Sequence, residues 1–203
     1  MLQYRRRHLQ ETARRLDLEY QEEDRYDLTV QLQDFRLFRR GRRGRVRHIL
    51  RRQDGLMEHD LRIFDYRYLV FNGKRSRPVN QTVFYMQSAK LGLPEMWMRP
   101  ETLTHKIGEL FGMKDIDFVR YPKFSDQYRL TGGDEEYIRH HFTDEVLRYF
   151  TLQRGWNIEG LGYYFLLYKK GVLLSPLDVE RLYRRGTEVY ELLTDEAARN
   201  RVL

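Results

Sequence analysis

The sequence predicts an α+β protein: a largely antiparallel sheet built from hairpins, with packed helices and a C-terminal amphipathic helix. Three observations carry that prediction. Stretches with period-two alternation are joined by short turns and not by regular helical crossovers. Capped stretches of helical spacing separate them. No repeat or low-complexity linker divides the 203 residues, a length sufficient for one domain with a substantial core. The expected division is a basic N-terminal helix over residues 1–17 and a single α+β domain over residues 18–203.

Leu2, Leu9, Ala13 and Leu16 recur at near-helical spacing among arginines and glutamines, which predicts a first helix with a narrow apolar stripe, packed weakly or at an edge. Leu28, Val30 and Leu32 alternate with Thr29, Gln31 and Gln33, the pattern of a half-buried strand. Residues 39–44 read as a turn because Gly41 and Gly44 supply backbone freedom, after which Val46, His48 and Leu50 resume a strand. Residues 61–71 carry apolar side chains on both faces and read as a central strand. Residues 79–89 alternate again and pair with it across Asn72 and Gly73 as a long hairpin. Leu93-Pro94 and Arg99-Pro100 mark a short extended piece.

A helix is expected over residues 103–111, with Thr102 as cap and Gly112 as stop. Residues 116–120 and 127–131 read as short strands, and Asp134 and Thr143 as caps of two further helices. Residues 156–159 and 163–169 form a second hairpin across Gly160 and Gly162. The last helix begins at Ser175-Pro176, with Asp178 in its first turn and a stripe of Val179, Leu182, Tyr183, Val189, Tyr190 and Leu193.

Composition excludes several chemistries. With no cysteine there are no disulfide scaffolds, thiolate metal sites or cysteine nucleophiles. No run approaches the roughly 18 to 20 apolar residues that span a bilayer, so the chain reads as soluble and cytoplasmic. The net charge is +7, and between residues 35 and 53 stand nine arginines, Arg36, Arg39, Arg40, Arg42, Arg43, Arg45, Arg47, Arg51 and Arg52, with no acid among them. Those nine exceed the whole surplus, so an argument about anionic partners concerns that segment. Arginine forks there would bind phosphates bidentately, whether on anionic lipid headgroups or on nucleic acid. A solvated hairpin edge protected against edge-to-edge pairing accounts for the same residues.

Other candidates are thinner. Asp115 and Asp117 stand at i, i+2, the spacing of two oxygen ligands on one side of an extended segment, and also that of a turn and strand start. Asp65 and Arg67 share a strand face as an ion pair or part of a polar site. Of six histidines, His140 and His141 diverge by about 100° on a helix and do not make a metal pair. The run Gly73, Lys74, Arg75, Ser76 lacks the earlier glycine of a phosphate loop. An enzyme reading would use Asp115, Asp117 and Asp65 or His105. No cofactor motif or resident metal site is expected, and the catalytic residues are unassigned. Exposed aromatic edges would favour a homodimer, with another protein as the alternative partner.

The run from Phe64 to Tyr68, Leu93-Pro94 with Arg99, Pro100 and Glu101, Ile107-Gly108 with Gly112, the run from Asp115 to Phe118, and Phe124, Tyr128, Leu130 and Gly132 together resemble a family of uncharacterised bacterial proteins. Members often carry one or two transmembrane segments just before the region matching Tyr4 to Leu16, with the α+β domain on the cytoplasmic side. The resemblance brings no activity or catalytic residue. It implies a membrane-proximal setting, in which basic flanks meet anionic headgroups, and so favours a non-enzymatic binding or scaffolding module.

Overall fold

Eight antiparallel strands in the order β1-β2-β3-β4-β8-β7-β5-β6 form the frame of a computed structural model that describes residues 2–25, 27–55, 59–101 and 115–195. The strands are β1 (Glu19–Glu23), β2 (Arg42–Asp54), β3 (His59–Phe71), β4 (Ser76–Ser88), β5 (Leu93–Pro100), β6 (Tyr128–Gly132), β7 (Asn157–Gly162) and β8 (Tyr164–Tyr168). Helices α1 (Leu2–Arg15), α4 (Pro122–Gln127), α5 (Glu135–His141), α6 (Asp144–Leu152) and α7 (Pro176–Thr194) lie on one face. The other face carries the segment holding the short helices α2 (Leu28–Gln31) and α3 (Arg36–Arg39). The α+β expectation therefore holds. The expected helix over residues 103–111 lies outside the described residues.

The first face buries Leu50, Ile63, Phe84, Ile158 and Phe165 beneath the helices. Leu9 and Ala13 of α1 are each 1% exposed within that core, so a narrow stripe is enough for a firm anchor. Arg5 adds a polar tie, donating to both carboxylate oxygens of Asp65 at 2.6 Å and to the Leu174 carbonyl at 2.7 Å. On the second face Leu28, Leu32, Phe35 and Leu37 cover Phe64, Tyr66, Tyr68, Tyr85 and Tyr168.

Caps fall where expected. The side chains of Asp134, Thr143 and Ser175 accept from the backbone N–H of Tyr137, Val146 and Asp178, satisfying donors that each helix start leaves open. Both hairpins form, with Phe71 opposite Ser76 and Leu161 opposite Tyr164.

Three local expectations are corrected. Residues 28–32 are not a strand: Leu28 and Leu32, one helical turn apart, are buried while Val30 is exposed, and the alternation was the accident of a single helical turn. Residues 116–120 are not a strand either, because only the Ile116 N–H reaches β6, at the Leu130 carbonyl, and the Phe118 N–H turns to Ser125 Oγ. In β2 the alternation of Val46, His48 and Leu50 is broken by a bulge between Arg47 and Leu50, with His48 at φ 53°. Val46 and Leu50 consequently serve opposite faces.

Candidate anion-binding face

A second bulge, between Arg42 and Arg45, organises the start of β2. Gly41 turns at φ 69° and Arg43 at φ 56°. A Cβ on Gly44 would stand 2.6 Å from the Tyr66 hydroxyl, so glycine is what lets the bulge settle onto that ring. The extra residue leaves Arg42, Arg43 and Arg45 exposed.

These three meet other cations at the same end of the sheet. Arg42 pairs in register with Leu69, and Arg45 stands directly opposite Arg67. Beyond them the β3–β4 hairpin runs to its turn, where Lys74, Arg75 and Arg77 are all exposed. Strand β8 pairs with β4 only from Val83 onward, so the hairpin projects past it with Val70 and Phe71 exposed, Phe71 at 66%. Val172 and Leu173, in the connection after β8, add exposed apolar surface, and the Val172 carbonyl accepts from the Thr82 N–H at 3.0 Å. Among the described residues none of Arg42, Arg43, Arg45, Arg67, Lys74, Arg75 or Arg77 has a carboxylate within 4.0 Å. Like charges directly opposite each other in a sheet are unfavourable, so Arg45 facing Arg67 is a local cost that an external anion would relieve.

The nine arginines read from the sequence do not form one patch. Arg51 donates to both carboxylate oxygens of Asp60 at 3.0 Å, and Arg62 also holds Asp60, at 2.6 Å. Arg47 lies 3.7 Å from Glu23, Arg39 3.6 Å from Asp34, Arg36 3.7 Å from Glu95 and Arg52 3.6 Å from Asp54. Arg40 lies over the ring of Trp97. Asp34 and Asp54 flank the run in the sequence, but Glu23, Asp60 and Glu95 come from other strands, which a charge count along one segment does not reveal.

Asp65 pairs with Arg5 and not with Arg67. Its Oδ1 also accepts from the Thr82 hydroxyl at 3.1 Å. Together with Arg45, Arg47, His48 and Arg67 this pair lines a cavity of about 200 Å³ between α1 and the sheet. The His48 ring meets the Tyr20 hydroxyl at 2.7 Å, and burial holds its pKa below the ordinary histidine value.

Asp115 and Asp117 are not joined into a site. Asp115 Oδ1 accepts from the Leu130 N–H at 3.0 Å, tying the coil to β6, and burial raises its pKa against the pull of that bond and of Arg129. Asp117 is exposed and lines a different hollow of about 420 Å³ with Arg120, Tyr121 and Asp144. Among the described residues no group of three or more His, Asp or Glu side chains is arranged to hold a metal ion. His140 and His141 sit at the end of α5, the latter bonded to the Tyr137 carbonyl. His105 lies outside the described residues.

With this geometry in place, comparison with known proteins adds the fold and no more. No family model and no curated protein sequence matches the chain. Among solved structures, the crystal structure of the mycobacterial trehalose monomycolate transport factor A is similar in fold: TM-score 0.61 at 10% identity, covering 94% of this chain and 92% of that one. Among the described residues no helix is long and apolar enough to cross a membrane.

Proposed function

We propose that the chain is a non-enzymatic binding module that docks on an anionic membrane surface through the basic end of its sheet. The observation that supports this most directly is the group of seven cations without carboxylate partners among the described residues, around a projecting hairpin tipped by Phe71. An exposed aromatic among Lys and Arg suits a headgroup layer, where the ring enters the interface and the charges meet anionic lipid. Each basic residue near such a surface contributes about 1 kcal/mol.

The test is co-sedimentation with phosphatidylglycerol-containing and neutral phosphatidylcholine vesicles at low salt. Binding is expected to need the anionic lipid and to fall with salt. Replacing Arg42, Arg43 and Arg45 together by Gln should weaken it by about 3 kcal/mol, on the order of a hundredfold. Phe71→Ser should weaken it further. Equal binding to both vesicle types, or no effect of the triple substitution, would overturn the reading. Stronger binding to single-stranded RNA with a steep salt slope would transfer these cations to nucleic acid.

A further inference from the structure

The segment holding α2 and α3 covers the second face of the sheet over β2, β3, β4 and β8. Toward β5 the cover changes character. Trp97 stands on β5 opposite Glu159 of β7, and three guanidinium carbons lie near its indole centroid: Arg36 at 5.3 Å, Arg40 at 4.9 Å and Arg99 at 4.7 Å. Beside this stack opens a cavity of about 430 Å³ whose polar wall is Arg40, Arg99, Asn157, Lys169 and Lys170, with Trp97 at its side. Among the described residues four cations line it and no carboxylate does.

Among the described residues most of this charge has no carboxylate in contact with it. Arg36 has Glu95 at 3.7 Å, and the Lys169 ammonium lies 4.9 Å from the ring of Trp156. Arg40, Arg99 and Lys170 have no carboxylate within 4.0 Å among the described residues. A cation over an indole gains roughly 0.5–2 kcal/mol, a partial offset to bringing like charges together. Two N–H donors at the cavity, Arg99 Nε and Trp97 Nε1, are buried without an acceptor among the described residues, a condition that costs about 1–3 kcal/mol per group. The local field agrees: burial first, then Arg40 and Arg99, hold the Lys170 ammonium below its ordinary pKa. Burial and Arg129 do the same to Arg99, while Glu101 and Asp115 pull it back only in part.

We propose that this cavity binds a phosphate group, carried by a small phosphomonoester or by a lipid headgroup. Guanidinium forks and ammonium donors converging on one space match a multiply charged tetrahedral oxyanion, whose oxygens accept several charge-assisted bonds at once. The volume leaves room for a small organic group beyond the phosphate. None of its cations belongs to the hairpin-end group, although Val172 borders both, and binding of a soluble phosphate does not depend on membrane docking.

The protein has two tryptophans, so Trp156→Phe leaves Trp97 as the only indole and its emission as a local reporter. Titration with inorganic phosphate and with glycerol 3-phosphate, at ionic strength held constant with chloride, should give a saturable emission change and a matching calorimetric heat. Arg99→Gln and Lys170→Gln, each shown folded by circular dichroism, should weaken it by about tenfold or more. The variant with Arg42, Arg43 and Arg45 changed to Gln should retain it. A response to vesicles containing phosphatidic acid without one to the soluble phosphates assigns the phosphate to a lipid headgroup. No saturable response to any of the three probes in otherwise unmodified protein, an equal response to chloride alone, or loss of the response to the soluble phosphates in the hairpin-end variant would overturn the proposal.

Discussion

Replacing Gly186 by alanine sets two opposed effects against each other. Gly186 lies buried in the middle of α7, where it faces Phe84 of β4. In an exposed helix, alanine would be preferred by about 1 kcal/mol. Here a Cβ would stand 2.5 Å from Phe84 Cζ and closer still to Cε2 and Cδ2. Carbon atoms pack at about 3.5–4.0 Å, so the ring or the helix has to withdraw by roughly 1 Å. Neither is free to do so. Phe84 is fully buried with its ring 5.7 Å from that of Phe165, and Val179, Leu182, Val189 and Leu193 hold α7 in the same core. Overpacking of this kind costs about 1–3 kcal/mol, and three ring atoms struck together place it toward the upper end. The expected net loss is about 1–2 kcal/mol after the propensity gain.

For a chain of this length that corresponds to a fall in Tm of roughly 2–8 °C, measured by thermal and urea denaturation followed by circular dichroism. The coupling identifies the cause. In a Phe84→Leu background, where the ring edge is absent, the same Gly186→Ala change should cost little or become stabilising. A Gly186→Ala protein as stable as the parent, or a loss undiminished in the Phe84→Leu background, would show that the close approach of α7 to β4 is not what this glycine serves.

Two buried carboxylates give predictions of opposite sign. Burial raises the Asp60 pKa, but bonds and charges from Arg62 and Arg51 outweigh it and leave the value below normal. The stability this carboxylate contributes is therefore present above the ordinary aspartate pKa and lost as pH falls through the lower folded value. Asp60→Asn leaves two arginines without their shared partner and should cost about 3–5 kcal/mol at neutral pH, a gap in urea midpoint that narrows as the parent is acidified. Glu159 is the reverse case. Burial raises its pKa, although Tyr168 Oη donates to it at 2.6 Å and the Leu37 N–H at 3.2 Å. The native state then holds a proton that the unfolded chain has released, so stability falls as pH rises from the ordinary glutamate pKa through the folded one. Glu159→Gln removes that decline, and its stability relative to the parent should grow across this window. A difference between the two proteins that stays flat with pH would refute the assignment.

What the sequence made legible follows the reach of each signal. Hairpin β3–β4, the caps at Asp134, Thr143 and Ser175, and the stripe of α7 depend on residues within a few positions of one another, and all were read correctly. The segment over residues 28–33 was misread because Leu28, Val30 and Leu32 satisfy period two as well as the i, i+4 pair that is actually buried. A run so short does not separate the two periods. Strand order was beyond reach for a different reason. Strand β5 pairs with β6 and β7, and β8 with β4 across about 80 residues of chain, choices made by long-range burial that leave no local mark.

The same distinction governs the two basic sites. A count of arginines between residues 35 and 53 found a real excess, yet charge becomes available for binding only where no acid is brought to it in space. Asp60, Glu23 and Glu95 reach Arg51, Arg47 and Arg36 from other strands. What survives at the hairpin end is the part of the run that the bulge at Arg43 pushes outward. The cavity beside Trp97 shows the converse. Arg40 alone represents the run there, while Arg99, Lys169 and Lys170 come from ordinary-looking stretches that the antiparallel pairing of β5, β7 and β8 sets side by side. A sequence can therefore advertise charge in one place and assemble it in another, and the residue common to both, Arg40, is where sequence reading and structure meet. Its position over Trp97 follows from α3 ending at Arg39, just short of the bulge that turns the chain into β2.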